Sequence, residues 1–577
     1  MQKEKNTAKK NAGNSRKRKY NSRKYNRNKK ENINKKQIIT ASAVAIAAIC
    51  IVILLISGAG QGTQSVNPKE YFGISSDDEK GIVVNGTVLE NTAKTINGHT
   101  YILYDDVWNY INSGFYLEGN ALYMTLPEGT QIWTTDDGTG YLYSDGENYY
   151  IDTQCIIANS DIEYEEYTDP DRIVIRNKWN GVVSANVLSD TKIRQKENDR
   201  SNIVAEISKG DSVIIVESGD SWTKVTTDQG YTGYIKNECI SEDTSELTHE
   251  SSSRFEFQSS SLGQTVKMVW HYIDSMANNA YLDGMMADAS GINVISPTWF
   301  NFADASGNMT AFADQDYVTK AHDNYGLSIW ALVSDYSGAD STTGEIISNK
   351  ENRQRCISQL IQTCVDYSLQ GINIDFETIT RAQAPAYLQF LRELKIAASP
   401  YGLIISTDNY VPTYTKYYKR AEQSKIVDYV IMMGYDEHTA SSEEIGSVAS
   451  LPFVEQGVTD TISEVAPNKT VLAVPFYTRG WTEKFGSTGF ESENLDMTKI
   501  QNFIDEHGIT TTWDDSVGQY VGSASDNEAT YSIWVEDARS LELKLSLISK
   551  YNLAGASAWR IGTETQDVWS VWKSCLG

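Results

Sequence analysis

Eight short apolar runs alternate with longer amphipathic segments between residues 264 and 577. This alternation is typical of parallel strands joined by helices, and eight repeats are the number that closes a (β/α)8 barrel. The sequence therefore predicts an α/β fold over 264–577, a TIM barrel, with its functional residues at the carboxyl ends of the strands. The eight runs are VKMVWHYI, INVISPTWF, LSIWALV, GINIDFE, GLIISTDN, VDYVIMMGYD, TVLAVPFY and AGASAWR.

The fourth run ends in three polar side chains that alternate with apolar ones. Asn373, Asp375 and Glu377 are spaced two residues apart, and residues with this spacing face the same side of a strand. Burying such groups in a barrel costs free energy, so a purely structural strand would carry Val or Leu at these positions. The pattern predicts a polar site at the mouth of the barrel.

The segment LQGINIDFETI resembles the signature of glycoside hydrolase family 18, in which Asp-Gly-x-Asp-x-Asp-x-Glu ends in the catalytic acid. MGYD in the sixth run, PFYTRGW in the seventh and WRIG in the eighth follow in the order of that family. The resemblance covers essentially all of 264–577. Within the family, the chain most resembles the bacterial spore-cortex and cell-envelope branch. The resemblance is based on the segment ISPTWFNF and on the Asn-Ile-Asp-Phe-Glu form of the motif.

Two residues depart from the family pattern. Gln370 and Asn373 stand where the general motif has Asp. Asp375 is therefore expected to lack a carboxylate partner below it. We expect its charge state to be set by Tyr435 or Asp436 instead.

The resemblance also implies a mechanism that needs no metal and no cofactor. Glu377 would act as general acid and then as base, while the N-acetyl group of the substrate attacks its own anomeric carbon. Asp375 would hold the acetamido N–H, Tyr435 would steady that group, and Trp559 would form an apolar floor under the sugar. Burial should raise the pKa of Glu377. Further residues expected to bind sugar are Asp436, Met433, Tyr477, Arg479, Trp299, Tyr272 and Asn373.

The N-terminal region predicts a membrane anchor. Residues 1–36 hold 15 Lys or Arg against 2 acidic residues, and residues 38–57 are twenty mostly apolar residues without a charge. As a helix, such a segment spans about 30 Å, the thickness of bilayer hydrocarbon. The basic flank predicts a single transmembrane helix over 38–57, with residues 1–37 in the cytoplasm and the rest of the chain outside the cell membrane. A cleaved signal peptide is the alternative.

Two small β-rich domains are predicted between the anchor and the barrel, flanked by linkers over 58–80 and 242–263. Short alternating strands over 81–180, among them HTYILYDDVWNYI, resemble the stalk domain related to the N-terminal domain of copper amine oxidases. Residues 185–241, with KGDSVIIV, SWTKV and GYTGYI, resemble bacterial SH3-type domains of cell-wall proteins. Such a domain would either bind wall peptides or act as a spacer.

Charge and domain context narrow the expected partners. Beyond the basic arm the chain has 35 basic and 74 acidic residues, a balance that argues against nucleic acid. The expected partner is an N-acetylated polysaccharide, and the predicted anchor and SH3-type domain favour peptidoglycan of the cell wall. A chitinase, a glycan-trimming enzyme and an inactive, lectin-like sugar-binding barrel remain as alternatives.

Overall fold

The computed structural model describes residues 64–337 and 342–577. The predicted cytoplasmic segment 1–37 and the predicted transmembrane helix 38–57 lie outside these residues. Within the described part of the chain, no helix combines the length and the apolar character needed to cross a bilayer.

The chain divides into two compact units. One contains the residues up to Ala93 together with Glu163–His249, and the other contains Lys94–Ile162 together with Glu250–Gly577.

The second unit contains a closed barrel of eight parallel strands, which confirms the predicted TIM barrel. Each strand pairs with the next in chain order, and the eighth pairs with the first. All eight predicted runs form these strands. They are β1 (Val266–His271), β2 (Val294–Pro297), β3 (Ser328–Ser337), β4 (Gly371–Asp375), β5 (Ile404–Tyr410), β6 (Tyr429–Met433), β7 (Thr470–Pro475) and β8 (Gly555–Trp559).

Helices cover the outside of the barrel. Because both faces of each strand are then buried, the strands read as nearly continuous apolar runs. Side chains fix several helix starts: the Asn349 oxygen, for example, accepts the backbone N–H of Asn352 at 3.0 Å. The barrel helices are Leu282–Met286, Gln315–Thr319, Thr343–Ile347, Lys350–Asp366, Ala384–Ala398, Arg420–Ile426, Leu451–Ile462, Ala538–Tyr551 and Val568–Leu576.

A buried ion pair joins a helix to the bottom of the barrel. The Lys395 ammonium lies 2.7 and 2.8 Å from the two carboxylate oxygens of Asp428, and both side chains are almost fully buried. The backbone N–H of Ile405 also donates to Asp428 at 2.7 Å. These hydrogen bonds compensate both charges for the loss of water.

One hairpin and an antiparallel sheet interrupt the regular alternation. Strands Phe300–Phe302 and Met309–Ala311 follow β2. A five-stranded antiparallel sheet and helix Ile500–His507 are inserted between β7 and β8. The sheet consists of Tyr477–Lys484, Glu491–Asp496, Thr511–Asp514, Gln519–Ser525 and Ala529–Val535.

The first unit is rich in β structure. Its larger sheet has seven strands around a small apolar core that includes Ile193, Val225 and Ile235. These strands are Val183–Val187, Thr191–Arg194, Ile203–Ile207, Ser212–Ser218, Trp222–Thr226, Thr232–Lys236 and Ile240–Glu246. The unit also contains helix Pro68–Tyr71 and strands Glu79–Val84, Thr87–Val88, Glu163–Tyr167 and Arg172–Arg176.

Residues 94–162, which fall within the predicted stalk domain over 81–180, pack with the barrel in the second unit. The Arg353 guanidinium, fully buried on a barrel helix, lies 3.2 Å from a carboxylate oxygen of Glu118. Gln389 donates to the Thr125 hydroxyl at 2.8 Å. The resemblance to the copper amine oxidase stalk stays a prediction. This part of the chain has strands Ala93–Ile96, His99–Leu103, Phe115–Glu118, Ala121–Leu126, Gly129–Thr134, Leu142–Ser144 and Tyr149–Asp152, and helices Tyr104–Asp106, Val107–Ile111 and Thr153–Ala158.

Candidate active site

A cavity of about 210 Å³ opens at the carboxyl ends of the barrel strands. Seven of the sequence-predicted residues line it: Asp375, Glu377, Met433, Tyr435, Asp436, Tyr477 and Trp559. Three further residues line it that the sequence analysis did not single out: Trp270, Asp408 and Tyr410. Of these lining residues, none is Lys, Arg or His, so the cavity combines carboxyls with aromatic rings.

Strand β4 and the residues directly after it carry the two central carboxyls of the cavity. Asp375 is its last residue, and Glu377 follows two positions later on the same side. The intervening Phe376 is fully buried among the aromatic rings of the surrounding helices, including Tyr387 and Phe390. Alternation along the strand therefore sends both carboxyls into the cavity.

Strand β5 contributes two residues that alternate in the same way. The Tyr410 hydroxyl donates a hydrogen bond to Glu377. Asp408 is almost fully buried and accepts a hydrogen bond from the Asn373 side chain at 2.8 Å. The run GLIISTDN contains Asp408, and Tyr410 directly follows it; Ser406, Asp408 and Tyr410 share one face of the strand, which is the signal for both residues.

The ends of β6, β7 and β8 complete the wall. Met433 ends β6, Tyr435 follows it, and the Tyr477 hydroxyl donates to Asp436 at 2.6 Å. The rings of Tyr435 and Tyr477 meet edge to face with centroids 6.1 Å apart. Trp559 is the last residue of β8.

The predicted sugar-binding residue Asn373 lies below the cavity rather than in its wall. It is fully buried and its side chain makes four hydrogen bonds. It accepts from the Trp270 indole at 2.8 Å and from Ser296 at 3.3 Å, and it donates to Ser406 at 3.0 Å and to Asp408 at 2.8 Å. With its hydrogen-bonding capacity filled, Asn373 acts on neighbouring residues and not on a sugar.

Gln370, the other departure from the family motif, stands just before β4, at the end of the strand opposite the cavity. Its side-chain oxygen accepts the backbone N–H of Ile329 at 2.9 Å, and its amide donates to the Ser368 carbonyl at 2.6 Å. Gln370 therefore links the amino-terminal ends of β3 and β4 by hydrogen bonds and lies far from the carboxyl pair.

Three predicted sugar-binding residues do not line the cavity. Trp299 is fully buried in the core, where its indole donates to Asn279 at 2.9 Å and its ring meets Tyr317 at 5.0 Å. Its assignment to the sugar cleft is corrected to core packing. Tyr272 is 44% exposed, outside the cavity wall. Arg479 lies on the inserted sheet, where it donates to Ser492 at 3.2 Å.

Burial and like charges control the two central carboxyls. Burial raises the pKa of Asp375 well above its ordinary value, and the charges of Glu377, Asp408 and Asp335 raise it further. Tyr435 and Asp436, which were expected to set the charge state of Asp375, are not among these causes; after burial the charge of Glu377 is the largest, and that of Asp408 on the neighbouring strand follows.

The pKa of Glu377 is raised as well, which confirms the prediction. Burial is the main cause, and the charges of Asp335 and Asp436 add to it. The hydrogen bond from Tyr410 stabilises the carboxylate and opposes the rise. Glu377 thus holds its proton to a higher pH than an exposed glutamate does, as general acid catalysis requires.

The model of Glycosyl hydrolases family 18 matches residues 268–564, and that of the Bacterial SH3 domain matches residues 189–241. The uncharacterized glycosylase YvbX of Bacillus subtilis (strain 168) is 26% identical over 291 residues, which are 48% of this chain and 83% of that protein.

Two further similarities concern a curated enzyme and a solved structure. The cortical fragment-lytic enzyme of Bacillus subtilis (strain 168) is 27% identical over 236 residues, 39% of this chain, and the chain spans about half of its length, 54%. The chitinase from Chromobacterium violaceum ATCC 12472 aligns with a TM-score of 0.48 and 21% identity over 54% of this chain and 99% of that one. Since the family 18 model matches more than half of the chain, the protein belongs to glycosyl hydrolase family 18 and is a glycoside hydrolase, which also carries a bacterial SH3 domain.

Proposed function

We propose that the barrel hydrolyses peptidoglycan at β-linked N-acetylglucosamine, by a retaining mechanism in which the acetamido group of the substrate takes part. One observation carries this proposal: the Oδ1 atom of Asp375 is buried and has no hydrogen-bond partner among the described residues. Such an acceptor costs free energy unless a ligand donates to it. The N–H of an acetamido group is a donor of the right kind, beside the proton held by Glu377.

The proposed reaction uses the substrate as its own nucleophile. Glu377 donates its proton to the glycosidic oxygen as the bond to the anomeric carbon breaks. The acetamido carbonyl oxygen attacks that carbon and forms a cyclic oxazolinium ion. Asp375 accepts the acetamido N–H and balances the positive charge. Glu377, now a carboxylate, then takes a proton from the attacking water, so that configuration is retained.

Aromatic residues would hold the reacting sugar. Tyr435 is buried, and burial raises the pKa of its phenol, so the protonated hydroxyl can donate a hydrogen bond. We assign it to the acetamido group. Trp559 is partly exposed, packs with its ring centroid 5.9 Å from that of the buried Trp270, and offers an apolar face on which a pyranose ring can stack.

The choice of peptidoglycan rests on context. The SH3 domain resembles modules of cell-wall proteins, and one relative carries the name cortical fragment-lytic enzyme. We propose that the SH3 domain binds the wall. The full chain should then co-sediment with purified peptidoglycan more strongly than a chain lacking residues 180–245, and equal sedimentation would leave that domain as a spacer.

We also propose that residues 38–57 anchor the enzyme in the cell membrane, with the barrel on the outer side. Twenty uncharged, mostly apolar residues behind a basic arm support this topology. An enzyme held there would face the wall from within.

Glu377→Gln tests the mechanism. The substitution keeps size and shape but removes the transferable proton, so the rate on an N-acetylated glycan should fall by about 10²–10⁴-fold while binding survives. A thiazoline that mimics the cyclic intermediate should inhibit the wild type. Full activity of the variant together with no inhibition by thiazoline would overturn the proposed mechanism.

Product analysis tests the substrate. Purified peptidoglycan and chitin should be digested in parallel and the products identified by mass. Release of N-acetylated fragments from peptidoglycan supports the proposal, and release from chitin alone makes the enzyme a chitinase. Sugar binding without cleavage of either polymer would instead indicate a lectin-like barrel.

A further inference from the structure

Asp408 is a buried carboxyl that the proposed reaction does not use. The pairing of β4 with β5 aligns Asn373 with Ser406. Two residues further along these parallel strands, Asp375 and Asp408 stand side by side on the inward face. Adjacent strands lie about 4.8 Å apart, so the two carboxyls are close neighbours. Asp408 is 2% exposed and lines the same cavity.

The orientation of the Asn373 amide is fixed by its other partners. An indole N–H can only donate, so the atom of Asn373 that faces Trp270 must be the oxygen. The amide nitrogen then faces Ser406 and Asp408. Asn373 therefore presents an N–H to Asp408, and one Asp408 oxygen is held at 2.8 Å whether that carboxyl is ionised or not.

An aspartate at position 373 could not hold Asp408 in this way, because its side chain has no N–H to donate. Two carboxyl oxygens at that distance would repel each other unless they shared a proton. Asn373 and Asp408 are therefore a matched pair that places one carboxyl beside Asp375, on the strand next to the one that carries the catalytic motif.

We infer that Asp408, held in place by Asn373, is a positioning residue that supplies the carboxyl neighbour of Asp375 and so sets the charge state of the Asp375–Glu377 pair. The inference rests on the proposed function, because it assumes that this pair carries out the reaction. Asp408 acts through the pair and makes no contact with the scissile bond.

The groups around Asp408 leave it in an anionic environment. Its partner Asn373 is neutral, and Asp408 shares the site with carboxyl and phenol groups from the five barrel strands β3 to β7 and from one helix. Burial raises the pKa of Asp408 and the charge of Glu377 adds to the rise, whereas the hydrogen bond from Asn373 favours the carboxylate form and opposes it. Removing one of several coupled carboxyls lowers the apparent pKa values of those that remain. The groups that face this cluster are Asp335, Asp375, Glu377, Tyr387, Tyr410, Tyr435, Asp436 and Tyr477.

Asp408→Asn is the first test, since it keeps the shape and the oxygen that Asn373 needs. Activity requires Glu377 to be protonated, so it is lost as pH rises through the pKa of that group. We expect the alkaline limb of the kcat/KM profile to move to lower pH by roughly one to two units, as removal of a charge in the same buried cluster predicts. Asp323→Asn makes the same change at an exposed position and should leave the profile in place.

Exchanging the two residues is the second test. Asn373→Asp alone sets two carboxyls against each other and should lower kcat/KM at least tenfold. The double variant Asn373→Asp/Asp408→Asn restores one carboxyl and one amide. Its alkaline limb should return toward that of the wild type.

The outcomes separate this inference from the proposed function. An unshifted alkaline limb in folded Asp408→Asn would overturn the role of Asp408, even where Glu377→Gln is inactive. A double variant no better than Asn373→Asp would overturn the pairing. Folding of each variant is checked by its thermal unfolding, and if Asp408→Asn does not fold, the double variant decides.

Discussion

Removing the Tyr410 hydroxyl should shift the pH profile in the direction opposite to Asp408→Asn. That hydroxyl donates to Glu377, and the hydrogen bond favours the carboxylate form. Tyr410→Phe keeps the ring and deletes the donor. The Glu377 proton is then held more firmly, so its pKa should rise and activity should persist to higher pH.

The size of the shift follows from the strength of the contact. A hydrogen bond to a charged group contributes about 1.5–3 kcal/mol, and one pKa unit corresponds to about 1.4 kcal/mol. Tyr410→Phe should therefore raise the pKa of Glu377 by roughly one to two units. Without the hydrogen bond, the Glu377 carboxylate is less stabilised. Because Tyr410→Phe leaves the transferable proton of Glu377 in place, the rate at the optimum pH should change far less than in Glu377→Gln.

The assay is the pH dependence of kcat/KM on a soluble N-acetylated oligosaccharide, whose alkaline limb reports the general acid of the free enzyme. Tyr414→Phe serves as the control, because it removes a hydroxyl from a tyrosine that is 56% exposed. A limb that stays in place, or moves to lower pH, in Tyr410→Phe would refute the assignment of Glu377 as the acid tuned by Tyr410.

Two further predictions concern topology and stability. Protease added to intact cells should degrade residues 60–577 and spare the N-terminal arm, whereas release of a soluble protein that begins near position 58 would show a cleaved signal. Lys395→Met leaves the buried Asp428 carboxylate without its cation and should lower the free energy of unfolding by about 3–5 kcal/mol. Lys484→Met, which breaks an exposed ion pair with Glu491, should cost at most about 1 kcal/mol in the same denaturant titration. Equal losses in the two variants would contradict this account of the buried pair.

The barrel could be predicted from the sequence because its strands are buried on both faces. Burial makes each strand an apolar run, and the eight runs identified by that pattern are the eight strands observed. The two central carboxyls were predictable for the same reason. Asp375 and Glu377 break an apolar pattern at the end of a strand, where only a functional site explains them.

Other parts of the site depended on contacts between distant residues. Asp408 and Tyr410 alternate along β5 as the β4 residues do, so the same rule, applied to the next strand, would have found them. Trp299 follows β2 as Trp559 ends β8, but the first ring fills the core and the second faces the cavity. Tertiary packing decides which residues surround an aromatic ring. The spacing of residues along the sequence does not predict it.

The contacts of residues 94–162 with the barrel also change what counts as a separable piece of this protein. The family 18 match does not include residues 94–162. Two side chains on barrel helices nevertheless bind to that segment: Arg353 pairs with Glu118, and Gln389 donates a hydrogen bond to Thr125. A barrel moved into another protein without that segment would carry a guanidinium lacking one of its two carboxylate partners. The part of the chain that is stable as a unit is therefore larger than the family 18 domain. A barrel transferred to another protein needs residues 94–162 as well.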